Sequence, residues 1–196
     1  LSANIIAQVV GMLIYPLLTR MYQPDDFALL SLFLTIANAL IIVSTGDLQY
    51  AIPLPKKEEG AYALVGVMVI SLSSTVIISM AASFFYDKIA IFFGMPNLEW
   101  ALWYLPIYIS AIGVWQVLAY LFNRDKKYGK IATYQIVQSS SNAGLKVAFG
   151  IFSVGGLARI DASVVGPLIA LTIIGPSKIK VVIEHLRHIP IHLAKE

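Results

Sequence analysis

The sequence predicts an all-α integral membrane protein, a bundle of about six transmembrane helices. Three observations predict it. The chain is 58% hydrophobic and only 13% charged, with a mean hydropathy of +0.78; soluble domains carry roughly a quarter charged residues. Its apolar residues fall into long runs separated by short polar loops. Its cations also sort to one side of the membrane when those runs are threaded back and forth.

The spans are expected at Leu1–Thr19, Phe27–Thr45, Gly60–Tyr86, Trp100–Phe122, Ile131–Ser153 and Ala162–Ser177. The first is uncharged and closed by Arg20, and Pro16 is expected to kink its last turn. Asn4, Gln8 and Tyr15 share roughly one side of it. Because the chain opens on Leu1 and not on Met, it is expected to be a piece of a longer protein. The second run carries Ser31, Thr35 and Asn38 on one face. The third is the longest; its serines suit close helix packing in lipid, and Phe84, Phe85 and Tyr86 sit at its end as interfacial aromatics do. Trp100, Trp103 and Tyr104 anchor the fourth. The last run is shorter than the roughly twenty residues a span needs, so it must tilt or be extended by snorkelling. Residues 178–196 alternate apolar and charged positions and read as an interfacial helix ended by Pro190.

Orientation follows from the loops. With the N-terminus inside, the inner loops carry Lys56, Lys57, Arg124, Lys126, Lys127, Lys130, Lys178, Lys180, Arg187 and Lys195; the outer loops carry only Arg20, Lys88 and Arg159. That asymmetry is the signature of positive loops kept inside. It also accounts for the net charge of +3 and the pI near 9.1 without a nucleic-acid partner. There is no cysteine, hence no disulfide and no thiolate metal site.

The fifth run is the unusual one. Stepping by four gives Lys130, Tyr134, Gln138, Asn142, Lys146 and Gly150. Residues four apart lie nearly above one another on a helix. A polar line thus crosses the membrane with a lysine in its outer half. Such a lysine is costly unless it meets a partner or a wet cavity, although it could also snorkel toward the nearer surface. Gln138 and Asn142 beside it favour the cavity. Arg20 reads either as a binding cation or as an end anchor beside Asp25 and Asp26; Asn4 and Gln8 line a cavity or bond between helices. His185, His188 and His192 have a metal-like spacing, but Pro190 interrupts them and no acid completes the set, so no metal is expected. No nucleophile–base pair, phosphate-cradling loop or carboxylate pair points to an enzyme or a cofactor, and no acid falls inside an expected span.

The run LLTRMYQPDDFALLSLFLTIANAL, followed by LQYAIPLPKKEEGAYAL, resembles the start of bacterial polysaccharide-biosynthesis flippases, the O-antigen translocases of the multidrug/oligosaccharidyl-lipid/polysaccharide superfamily. Thr19, Arg20, Tyr22, Pro24 and Phe27 match the end of that family's first helix, with Ala28 where glycine is usual. Tyr50, Ala51, Ile52, Leu54 and Pro55 match its next loop, with Gln49 in place of arginine. NAGLKVAFGIFSVGGL looks like its fifth helix, lysine included. The resemblance implies the first half of a two-bundle transporter, with residues 1–177 as one bundle and 178–196 leading toward a second. It implies a multi-pass protein of the bacterial inner membrane that moves a polyprenyl-pyrophosphate-linked oligosaccharide for O-antigen, capsule or exopolysaccharide. Its partners would be that lipid-linked oligosaccharide, membrane lipids and other polysaccharide assembly proteins. Lys146, Asn142, Gln138, Gln8, Asn4 and Arg20 are then the substrate-binding candidates, with Lys146 as counter-charge to the pyrophosphate. A cation-coupled multidrug efflux protein, an inactive truncated fragment and a membrane glycan polymerase are the other readings. The efflux reading would show acids in the cavity, and the polymerase would show large outer loops.

The cysteine-free sequence makes orientation directly measurable. In intact cells, a membrane-impermeant thiol reagent should label Lys88→Cys and spare Lys126→Cys; the reverse pattern contradicts the assignment.

Overall fold

In a computed structural model, the chain is described over residues 2–46, 48–55, 57–152 and 158–188, without the side chains of 2–4, 6, 7, 10, 11, 158, 159, 177 and 186–188. The described residues form helices and turns only. These are α1 (Ser2–Met21), α2 (Pro24–Thr45), α3 (Glu58–Ala81), α4 (Tyr86–Phe92), α5 (Leu98–Leu102), α6 (Leu105–Arg124), α7 (Tyr128–Ile151), α8 (Ala158–Ile174) and α9 (Pro176–His188), with short 3₁₀ turns at Leu48–Ala51 and Ala82–Phe85.

Local chemistry sets the boundaries. Pro24 opens α2, where a missing N–H costs nothing, and the Gln23 amide donates to Asp26 Oδ2 at 3.0 Å. Gly46 closes it at φ +52°, donating to the Ile42 carbonyl at 2.9 Å. Pro16 leaves α1 unbroken. The expected third span is interrupted at Ala82–Phe85, and the Tyr86 hydroxyl turns back to the Ser79 carbonyl at 2.7 Å. The fourth breaks between α5 and α6, where Pro106 sits in the first turn of α6 and cannot continue a preceding helix.

Among the described residues, three helical stretches are long and apolar enough to cross a membrane, at Pro24–Thr45, Glu58–Phe92 and Leu98–Arg124. Ile160–Ile174 with Lys178–His185 adds a fourth if that pair, bent by 79°, counts as one. The sequence had suggested about six. Helix α7 has the length, 24 residues or about 36 Å, but its Gln, Ser, Asn and Lys residues make it too polar to stand among them. Such a helix needs neighbours along its polar side.

Helix α6 is the centre of the packing. Leu105 and Ile109 join Phe33, Ala37 and Ile41 of α2 and Val164 of α8 in one apolar cluster. Val117 and Leu121 meet Val65 and Met68 of α3 and Val182 of α9 in a second. Leu118 and Phe122 meet Tyr134 of α7 and Ala170 and Ile174 of α8 in a third. Gly113 lets α6 approach α3 closely, since a Cβ there would collide with the Leu72 side chain. At its last turn Arg124 fastens the α2–α3 loop. Its guanidinium donates to the carbonyls of Ile52 (3.1 Å), Pro55 (2.6 Å) and Lys57 (3.2 Å).

Arg124→Ala should therefore free three carbonyls and the loop that carries them. The expected loss is roughly 2–3 kcal/mol, the range for hydrogen bonds to a charged donor. It should appear as a lower melting temperature in detergent and faster proteolysis within residues 48–57. An unchanged melting temperature would refute the role.

Candidate functional site

The polar row of α7 does not run straight. Four residues span 400° at 3.6 per turn, so each step drifts by about 40° around the helix. The row consequently faces three different neighbours. Tyr134 is fully buried and stacks flat on Trp115 of α6, with ring centroids 3.3 Å apart and planes at 6°. Gln138 and Asn142 are half-buried against α8. A Cβ placed on Gly166 would lie 3.2 Å from Asn142 Cβ and 3.3 Å from the Gln138 carbonyl oxygen. Lys146 and Gly150 have turned toward α1. The Tyr22 hydroxyl donates to the Lys146 carbonyl at 2.7 Å, and a Cβ on Gly150 would come within 2.5 Å of Met21 Cε.

Two of the sequence candidates are thus brought to one end of one helix pair. Arg20 sits in the last turn of α1, exposed, two residues before the Tyr22 that bonds α7 at half-buried Lys146. Arg20 has no ion pair within 4.0 Å among the described residues. Asp26, expected beside it, caps α2 instead. Gln8 is exposed on α1 but lies about 18 Å along the axis from Arg20. Asn4 lies outside the described side chains. On α2, Ser31, Thr35 and Asn38 are all exposed, opposite buried Leu30, Phe33, Ala37 and Ile41. Thr35 satisfies its hydroxyl on the Ser31 carbonyl at 2.8 Å. A polar strip therefore faces outward from an otherwise apolar helix. None of these residues lines the cavity of about 410 Å³ among Val76, Met80, Ser83, Tyr86, Trp103, Pro106, Ile107 and Ser110, which is almost wholly apolar.

Sequence reasoning missed an acid. It drew the sixth span from Ala162, whereas α8 starts at Ala158 and takes Asp161 into its first turn. The Tyr104 side chain lies near that carboxylate. Asp161 Oδ1 is buried with no partner among the described residues. Drawing a boundary at the nearest uncharged residue hid it. His185 proves to be a packing group: it stacks on Tyr62 of α3 at 4.0 Å and 13°. His192 and the side chain of His188 lie outside the described residues.

The opposite end of α7 has its own electrostatics. Lys178 at the start of α9 donates to Asp125 Oδ2 at 2.7 Å, with Lys127 3.5 Å from the same oxygen. Tyr62 meets α9 through the stacked ring of His185. Burial pushes the Asp125 carboxyl up, but the hydrogen bond and charge of Lys178, aided by Lys127, outweigh it and hold the group below its usual value near 3.8.

Residues 17–180 match a family whose description is polysaccharide biosynthesis protein. No curated protein and no solved structure matches the chain.

Because the Asp125 value is depressed on folding, its stabilisation is present above the unfolded carboxylate value and lost as pH falls through the folded one. Asp125→Asn should cost about 0.5–1 kcal/mol at neutral pH, as a half-exposed ion pair does. The gap in melting temperature from wild type should close as pH drops below about 3.8. A gap that persists at lower pH would assign the effect to packing.

Proposed function

We propose that this chain, which belongs to the family of polysaccharide biosynthesis proteins, forms part of a transporter that moves a polyprenyl-pyrophosphate-linked oligosaccharide across a bacterial inner membrane. In this reading it supplies one six-span bundle with its N-terminus inside, and a second bundle closes the path. Half-buried Lys146, near the end of α7 where the Tyr22 hydroxyl meets its carbonyl, carries the proposal. Two cations there supply counter-charge for a pyrophosphate, and placing a lysine within a membrane helix is costly without such a use. Arg20 presents a planar fork suited to phosphate oxygens, and Lys146 a compact ammonium. Gln138 and Asn142, half-buried against α8, offer the sugars their amide ends, with Gln8 and Asn4 contributing from α1. The exposed Ser31, Thr35 and Asn38 of α2 add neutral groups able to exchange hydrogen bonds with sugar hydroxyls. The work is binding and release without covalent chemistry.

One observation favours a second reading, a cation-coupled multidrug efflux protein of the same superfamily. Asp161 brings a carboxylate with a buried oxygen into α8, and intramembrane acids commonly serve ion coupling.

Complementation separates the two. Full-length protein carrying Lys146→Ala, in a strain lacking its own flippase, should restore surface polysaccharide about tenfold or more below wild type and accumulate lipid-linked precursor, as loss of a charge-assisted contact implies. The Tyr22 bond is made to the Lys146 carbonyl, so the substitution leaves that tie in place. Normal polysaccharide from stably inserted Lys146→Ala protein would remove Lys146 from the path. Drug resistance without restored polysaccharide from the wild type would favour efflux.

A further inference from the structure

The turn between α6 and α7 presents Lys126, Lys127 and Lys130, all exposed. It is a tied turn and not a loose loop. The Asp125 amide donates to Leu121 at 3.0 Å, Lys126 to Asn123 at 3.0 Å and Lys127 to Phe122 at 2.8 Å. Lys126 adopts φ +57°, the left-handed region that a side-chain-bearing residue enters at a cost. The turn's single acid is already engaged, because Asp125 pairs with Lys178 and Lys127. Among the described residues, no carboxylate oxygen lies within 4.0 Å of the Lys126 or Lys130 ammonium. Lys180 is exposed on the adjoining α9. Tyr128, 59% exposed, adds an aromatic ring of the kind that rests at headgroup level.

A fixed cluster of cations with its one acid neutralised fits a multiply charged anion held at the membrane surface. Lys130 begins the same helix that carries Lys146, about 24 Å further along. We propose that Lys126, Lys127 and Lys130 form the loading site for the cargo, binding the pyrophosphate of a membrane-anchored polyprenyl pyrophosphate before its headgroup moves along α7. This rests on the transport reading above. A pyrophosphate carries more charge than the phosphodiester of an ordinary phospholipid, and the exposed ammonium groups of Lys126 and Lys130, with Lys127 shared with Asp125, favour the denser anion.

The test uses full-length protein in phosphatidylcholine nanodiscs, with farnesyl pyrophosphate as the probe and calorimetric titration as the measurement. The triple variant Lys126→Gln/Lys127→Gln/Lys130→Gln should bind about tenfold more weakly or worse, as loss of several charge-assisted contacts implies. Lys88→Gln, on α4, should bind as wild type does. Adding phosphatidylglycerol to the nanodiscs should leave probe binding within about twofold. If the triple variant does not fold, the single changes Lys126→Gln and Lys130→Gln, which break no ion pair, should each weaken binding about threefold. Unchanged binding by these variants would overturn the site. So would displacement of the probe by phosphatidylglycerol, which would make the patch a general anionic-lipid surface. The two readings fail separately. Probe binding that depends on these lysines without restored export removes only the transport role, and restored export with lysine-independent binding removes only the loading site.

Discussion

A polar face on a membrane helix has to be covered, and the close approach of α8 to α7 at Gly166 does most of that here. With no side chain on Gly166, the backbone of α8 comes against Asn142 and the Gln138 carbonyl. Close backbone approach through small residues is how helices associate when lipid offers no hydrophobic drive. Gly150 leaves room for the side chains of Met21 and Tyr22 at the end of α1. Helix α7 is thus enclosed from two sides, and the polar groups that would be costly in lipid are placed within protein. Lys146 lies half-buried, its carbonyl met by Tyr22 at the end of α1.

The other end of the bundle is held by charge. Arg124 collects the carbonyls of the α2–α3 loop, and Asp125, the next residue, collects Lys178 of α9. Adjacent residues at the end of α6 therefore fix both neighbouring connections. Tyr62 ties α9 down a second time, by His185 stacking on its ring. The 79° bend at Gly175–Pro176 turns α9 across the end of the bundle. These fastenings keep the lysine-rich turn in one shape while leaving Lys126 and Lys130 exposed.

Much of the candidate site was legible as residue type, and less as arrangement. Lys146 stood out because a charge in an apolar run is rare. Arg20 stood out through its motif, and the Tyr22–Lys146 bond fixes only that the end of α1 meets α7 near Lys146. The straight polar line was wrong in geometry: a row of residues four apart slides around a helix by about 40° per step, so Tyr134 ends against Trp115 while Gly150 faces α1. Asp161 was read as the boundary of the last run because an acid at a helix start resembles a loop acid. Asp125 and Arg124 read as orientation charges because their partners are distant in sequence.

By itself the sequence determined the class of environment and the elements. Apolar content and spacing are local properties, and they fix helices, their approximate ends and their preference for lipid. It also marked the end of α2 before Gly46, but it carried the last run through Pro176, where the chain breaks between α8 and α9. Only the tertiary structure decided which faces are covered. That depends on the angle and depth at which two helices cross, and those follow from side-chain volumes on both partners at once. Gly166 against Asn142, Arg124 beneath a loop some seventy residues earlier and Tyr22 on the Lys146 carbonyl are pairings no single stretch contains.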